Sequence, residues 1–259
     1  MAVVLALPLG VYLVGGRHTP ATGSLRPGSA QRLRPADVPP PSREEARHPL
    51  GRPAAAPAGQ GGFRFESTQK GSTAPVSWDR CRPIHYVVSG QPPAGQAGLV
   101  SSVLSELSAL TGLRFAYDGP TSEPAVAGTR APYQPGRYGS RWAPVLVAWT
   151  DPARAPQLTG AVIGLGGGYA VSLGNSPATY VSGIVYLDRP QFDEDAQEPY
   201  HAAPRAVVLH EFGHLLGLAH VSDPSLIMFP ETQPKVRDYS PGDLRGIHAL
   251  SVGPCVPAM

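Results

Sequence analysis

His210-Glu211-Phe212-Gly213-His214-Leu215-Leu216-Gly217-Leu218-Ala219-His220 decides how this chain must fold. The pattern is H-E-x-x-H-x-x-G-x-x-H. The run from Arg205 onward is apolar with helical periodicity, and Pro204 suits a first helical turn, where no backbone bond is lost. On such a helix His210 and His214 share one face, a single turn apart. Two neutral imidazoles so placed can grip one zinc ion at about 2.0–2.1 Å each. Glu211 then projects beside the metal rather than onto it, which suits a general base acting on a water. Gly217 tolerates a left-handed backbone, so the helix can stop there and the chain can turn His220 back as a third ligand. Three protein ligands leave a fourth position open, as in a catalytic rather than a structural zinc site. The plain alternative is a core helix whose histidines are merely packed or solvated. So many residue types at fixed spacing argue against it.

More of the pattern lies downstream. Met228 follows in Ser225-Leu226-Ile227-Met228-Phe229-Pro230, with Asp223-Pro224 before it. The chain closes on Tyr239-Ser240-Pro241-Gly242-Asp243-Leu244-Arg245-Gly246-Ile247-His248-Ala249-Leu250. Together with the histidine motif these stretches resemble the metzincin metalloproteases, and among them the matrixins, over about residues 63–255. The resemblance implies that Met228 is the Met-turn, a hydrophobic floor under the metal. It implies an α+β fold: a metzincin-type catalytic domain with a twisted five-stranded mixed sheet, two helices, a zinc cleft and a small C-terminal subdomain with a last helix. It also implies a zinc-dependent endopeptidase that hydrolyses peptide bonds through a zinc-activated water, with Glu211 as general base. Its partner is then a protein or peptide substrate. The alternative from another class is a catalytically silent zinc-containing protein-binding module, and the presence of Glu211 speaks against it.

Pro230 stands where some metzincins carry an extra tyrosine ligand, and no His/Asp-rich loop for a second zinc is found, so one catalytic Zn2+ is expected. Asp193-Glu194-Asp195 offers hard oxygens that suit Ca2+, but no glycine-punctuated loop surrounds them, and a solvated acidic loop is the reading preferred. Gly242 occupies a position where many matrixins have an acidic residue.

The chain has 259 residues and a net charge of +2, with acids and bases mixed. No basic stripe interleaves with aromatics, which excludes nucleic acid as the expected partner. Residues 2–16 are almost wholly apolar, a run of about fifteen against the roughly 20 that a spanning helix needs. Residues 1–16 are therefore read as a signal peptide or short membrane anchor, with a buried segment as the remaining option. Membrane contact is expected only through this segment, with the catalytic part secreted or held at the outer face, as a monomer. Residues 17–62 are rich in Pro, Ala, Gly, Ser and Arg and read as a disordered tether, a prosegment being the alternative. Residues 63–259 form the catalytic domain.

Cys81 and Cys255 lie at the head and tail of that domain. In an exported chain such a pair is more often a disulfide than two free thiols. The rival is a switch in which the Cys81 thiolate fills the open zinc position, as in the matrixin prosegment. Residues 84–88, however, read as a strand and not as removable peptide.

Between the ends, strands are expected at 84–88, 113–117, 145–150, 165–173 and 181–187, with a helix over 95–110 and a long surface loop over 118–143. Glycines 164, 166, 167 and 168 interrupt the fourth strand. They lack the lysine and following helix of a phosphate loop and read as a bulge or close backbone approach. By the family resemblance this strand is the sheet edge above the cleft. Gly167, Gly168, Tyr169, Ala170 and Val171 are therefore expected to pair with an extended substrate.

Overall fold

A parallel strand buried on both faces reads as an unbroken apolar run, and Val145–Thr150 is one: every residue in it is buried. It is the middle of the sheet in the computed structural model, which describes residues 3–6, 12–14, 37–195 and 204–259. In chain order the elements are β1 (Val3–Ala6), β2 (Tyr12–Val14), β3 (Arg64–Phe65), β4 (Ser77–Trp78), β5 (Ile84–Ser89), α1 (Leu99–Thr111), β6 (Phe115–Pro120), α2 (Pro135–Tyr138) and β7 (Val145–Thr150). After these come β8 (Val162–Leu173), β9 (Thr179–Asp188), α3 (Arg189–Asp195), α4 (Pro204–Leu216), β10 (Leu218–Ala219) and α5 (Pro241–Ser251).

The architecture is α+β with a mostly parallel sheet. Its order is β1-β8-β9-β7-β5-β6, with β2 added to β8 and β4 to β9, so the described residues form eight strands where five were expected. Within this sheet only β8 and β9 run antiparallel. The short extra strands arise because the edges of β8 and β9 leave backbone groups that other segments of the chain satisfy. Five helices are present among the described residues.

One face of the sheet packs on α1 and α4 through Val103, Leu107, Val147, Val207, Phe212 and Leu215. α1 turns Val100, Val103, Leu104 and Leu107 inward and ends at Gly112, whose left-handed backbone (φ 68°) lets its N–H bond the Ser108 carbonyl. On the other face lies the long surface loop expected over 118–143, mostly exposed or half-buried but anchored by a few buried residues, Glu123, Ala125, Arg130 and Ala143. Residues 121–144 lie across that face, over a second apolar cluster that includes Leu146, Leu158, Leu165 and Tyr186. Arg130 is buried there and grips both Glu123 oxygens with one guanidinium edge, Nε at 2.7 Å and Nη2 at 2.8 Å, while Tyr138 and Gln134 also bond Glu123. A buried guanidinium needs this full set of partners to offset its lost hydration.

Residues 37–62 also differ from the tether expected for 17–62; residues 17–36 lie outside the described residues. The strap buries little apolar surface and holds on by backbone bonds instead. Ala46 N–H bonds Cys81 O (2.7 Å), Leu50 N–H bonds Arg80 O (2.9 Å) and Ala54 N–H bonds Leu110 O (2.9 Å). Gly51 crosses Gly112 so closely that a Cβ on Gly51 would lie 2.5 Å from the Gly112 carbonyl oxygen. His85 joins strap to sheet, bonding Glu44 at 2.8 Å and Asp118 at 2.7 Å. Composition underestimated this segment because it counts apolar side chains and not backbone partners.

Cys81 and Cys255 form a disulfide, with Cα atoms 5.3 Å apart. Cys81 is thereby unavailable as a thiolate for the metal position. No helix among the described residues is long and apolar enough to cross a membrane.

Candidate metal centre

α4 is buried along its whole length from Ala206 to Leu216. A helix so placed has to be accepted on every side, and glycines make the room. On β8, a Cβ at Gly164 would meet the Glu211 carboxylate at 2.5 Å, one at Gly166 would meet the Glu211 carbonyl oxygen at 2.2 Å, and one at Gly168 the Leu215 carbonyl at 3.0 Å. The glycine run is thus a close backbone approach between β8 and α4. Within α4, a Cβ on Gly213 would meet the Met228 sulfur at 2.5 Å. Met228, itself buried, lies directly against the helix between the turns that carry His210 and His214.

α4 ends where the motif predicts. Gly217 takes φ 116°, and its N–H bonds the carbonyls of Gly213 (3.1 Å) and His214 (3.0 Å). β10 then pairs antiparallel with β3, Leu218 opposite Phe65, and delivers His220 back to the helix. The Nε2 atoms of His210 and His214 are 2.9 Å apart, and each is 3.1 Å from Nε2 of His220. The three form a group able to hold a metal ion.

The opposite ring nitrogens show which atoms carry protons. His210 Nδ1 donates to the Ile227 carbonyl (2.6 Å) and His214 Nδ1 to the Leu218 carbonyl (2.8 Å), because a carbonyl can only accept. The Nε2 lone pairs of both rings are therefore bare and directed at one point. Burial and the neighbouring histidines hold His210 well below the usual 6.5, and burial with His220 pushes His214 down to about 3. Burial lowers His220 as well, with Glu66 acting in the opposite sense. Converging lone pairs repel one another until a cation is shared between them, so this donor set fits zinc.

Glu211 is fully buried, and neither carboxylate oxygen has a hydrogen bond of good geometry. Burial raises its carboxyl well above the usual 4.5, and the nearby Gly166 amide offsets this only in part. A small open cavity lies beside His210, lined by Ala206, Val207, Ile227, Phe229, Gln233 and Val236.

Gly167, Gly168, Tyr169, Ala170 and Val171 lie in β8, bonded to β9 on one side. The other edge of β8 carries β1 and β2, both parallel to it: Val3–Ala6 opposite Val162–Gly166, and Tyr12–Val14 opposite Val171–Leu173. The edge expected to be open to substrate is thus partly taken by the chain's own head. The acidic cluster at 193–195 falls in α3, where Asp193 faces Arg189 at 3.6 Å.

Two contributors escaped the sequence. Asp243, buried in α5, accepts from the backbone N–H of Ile227 (3.1 Å) and Met228 (3.4 Å) and from Ser240 N–H (3.0 Å) and Oγ (2.8 Å). It pins the methionine loop to the last helix. Ser240 directly before a helical run, with Asp243 at the third helical position, is a capping box and could have signalled half of this. Glu66 carried no signal at all.

A family model described as Matrixin matches residues 167–251, from the middle of β8 to the end of α5. No curated protein matches the chain.

Proposed function

On the premise that this chain is a matrixin-like metzincin, we propose that it is a zinc endopeptidase acting outside the cytoplasm on protein or peptide substrates. The observation that carries this is the trio of Nε2 atoms within 3.1 Å of one another, with the buried Glu211 carboxylate on the residue after His210.

His210, His214 and His220 would hold one zinc ion. When bound, it would supply a Lewis acid for the scissile carbonyl and bring the pKa of a water to about 7. Glu211 takes a proton from the attacking water and passes it to the departing amine. Burial raises its affinity for protons above that of an ordinary carboxylate, in the direction that favours taking up the water's proton. Met228 supports the imidazoles from below. The cavity beside His210, walled by the segment after Phe229, takes the side chain that follows the cut.

The head at 1–16 serves as signal peptide or short anchor, consistent with its apolar composition and with the Cys81–Cys255 bridge, a bond of oxidising compartments. The substrate backbone adds to β8 at Gly167–Val171 once the head has left that edge.

The test is cleavage of casein and of a quenched peptide library by the full chain, with and without a zinc chelator, beside Glu211→Ala. Hydrolysis that disappears in both arms supports the reading. Hydrolysis that survives both would falsify it.

A further inference from the structure

The histidine group is held from α4 and the methionine loop on one side. On the other it meets a residue that precedes the whole matched segment. Glu66 directly follows β3. Its N–H bonds the Gly217 carbonyl at 2.9 Å, which extends the β3–β10 pairing by one residue and fixes Glu66 beside the turn that ends α4. From there Glu66 Oε1 reaches to 3.3 Å from His214 Nδ1. That N–H donates to Leu218 O at 2.8 Å, so the carboxylate adds a close electrostatic contact at the same edge of the ring rather than a second hydrogen bond. The Glu66 side chain retains 23% exposure, and it also lies within electrostatic reach of His220.

A carboxylate drawn half out of water costs free energy unless a positive charge compensates it. Arg64 is one such charge in reach. The stronger one would be a dication behind the His214 ring: Leu218 O fixes the plane of the ring at Nδ1–H, and the adjacent carboxylate would make the ring a better donor to that ion through its charge. Resting on the zinc reading above, we infer that Glu66 is a positioning residue of the metal centre. It strengthens His214 as a donor and balances the charge of the ion without touching it. The chain before the histidine motif thus contributes to the metal site through β3.

The test uses the full chain, Glu66→Gln and Glu66→Asp, each freed of metal by dialysis against a chelator. Zinc affinity is measured at pH 7 by competition with a chromophoric chelator. Melting of the metal-free proteins and the visible spectrum of the cobalt-loaded proteins are recorded alongside. Glu66→Gln should bind zinc about 10- to 100-fold more weakly, as is usual when such an outer carboxylate is lost. Its metal-free melting should match the parent, its cobalt bands should shift, and Glu66→Asp should recover part of the affinity. Equal zinc affinity of parent and Glu66→Gln overturns this inference alone. A fall in metal-free melting that accounts for the lost affinity also overturns it, since the role would then be structural. A parent chain that takes up no zinc overturns the zinc reading, and this inference with it.

Discussion

A Cβ on Gly166 would lie 2.2 Å from the carbonyl oxygen of Glu211, so β8 and α4 touch backbone to backbone at the residue proposed as general base. No side chain can be added there without moving one element from the other. Gly166→Ala should therefore cost about 1–3 kcal/mol of stability through overpacking. Displacing the base by an ångström or so should lower kcat by about 100-fold. Urea unfolding together with peptide-cleavage kinetics checks both effects, and an unchanged kcat would show that the close approach is incidental.

Asp243 holds Ile227, and the Ile227 carbonyl holds the His210 ring. Removing the carboxylate leaves buried amides without an acceptor. Asp243→Ala should cost on the order of 3 kcal/mol, given the worth of hydrogen bonds to a charged group. Zinc affinity should fall with it, because the His210 orientation depends on that loop. Asp243→Asn, which keeps the shape and one acceptor, should fall between. Denaturant unfolding and chelator competition on the same samples provide the comparison.

The capping box around Asp243 was readable in the linear sequence; its grip on the methionine loop was not, since nothing in residues 225–243 says which amides turn back on that carboxylate. The same division holds at the histidines. His210, His214, Gly217 and His220 were legible because helix pitch and one turn bring them together, with all the geometry inside eleven consecutive residues. The glycines of β8 were read as a bulge or a close approach, and choosing between these, like their contact with Glu211, needed the sheet and helix in place.

Arg130 and Glu123 lie buried over the outer face of the sheet. Arg130→Met would strand the Glu123 carboxylate in the interior, at about 3–5 kcal/mol. The double change Glu123→Leu/Arg130→Met should recover much of that loss, because the uncompensated charge is gone. The pair also has a pH signature. Burial alone would raise the Glu123 carboxyl, but the bonds from Arg130, Tyr138 and Gln134 outweigh it and hold the group below 4.5. Its contribution is complete above the unfolded value and is lost as pH falls through the lower folded one. Acid titration of the melting temperature of parent and double variant should differ only in that acid range.

The histidines behave in the opposite pH range. In the metal-free chain the unfolded state takes up protons below about 6.5, while the buried rings, His214 down to about 3, stay neutral. The unfolded state then holds more protons, so stability falls as pH falls, by about 1.4 kcal/mol per pH unit for each ring that stays neutral. Urea midpoints of metal-free protein at pH 7 and pH 5.5 should show the loss, and His214→Phe should show a shallower slope. A midpoint independent of pH over that interval would contradict the depressed values. Saturating zinc at pH 7 should raise the midpoint, by about 2.7 kcal/mol at one hundred times its Kd.

β1 and β2 lie along the edge of β8 that an extended peptide would need. A chain starting at residue 37 should cleave peptides with a higher kcat/KM than the full chain, the gain residing mainly in KM. Equal values for both would mean that substrate binds elsewhere than on this edge.

Reading along the chain was enough for the grouping of the three histidines and for the central strands, since residue spacing and hydrophobic period are properties of neighbours. Three-dimensional packing alone set the rest: the carboxylates of Glu66 and Asp243 at the site, the strap bound by backbone bonds, the Arg130–Glu123 pair and the covered edge. Each of these joins residues far apart in the chain through contacts that leave no periodic trace, because one backbone amide or one isolated acid can satisfy any partner that the fold happens to bring within reach.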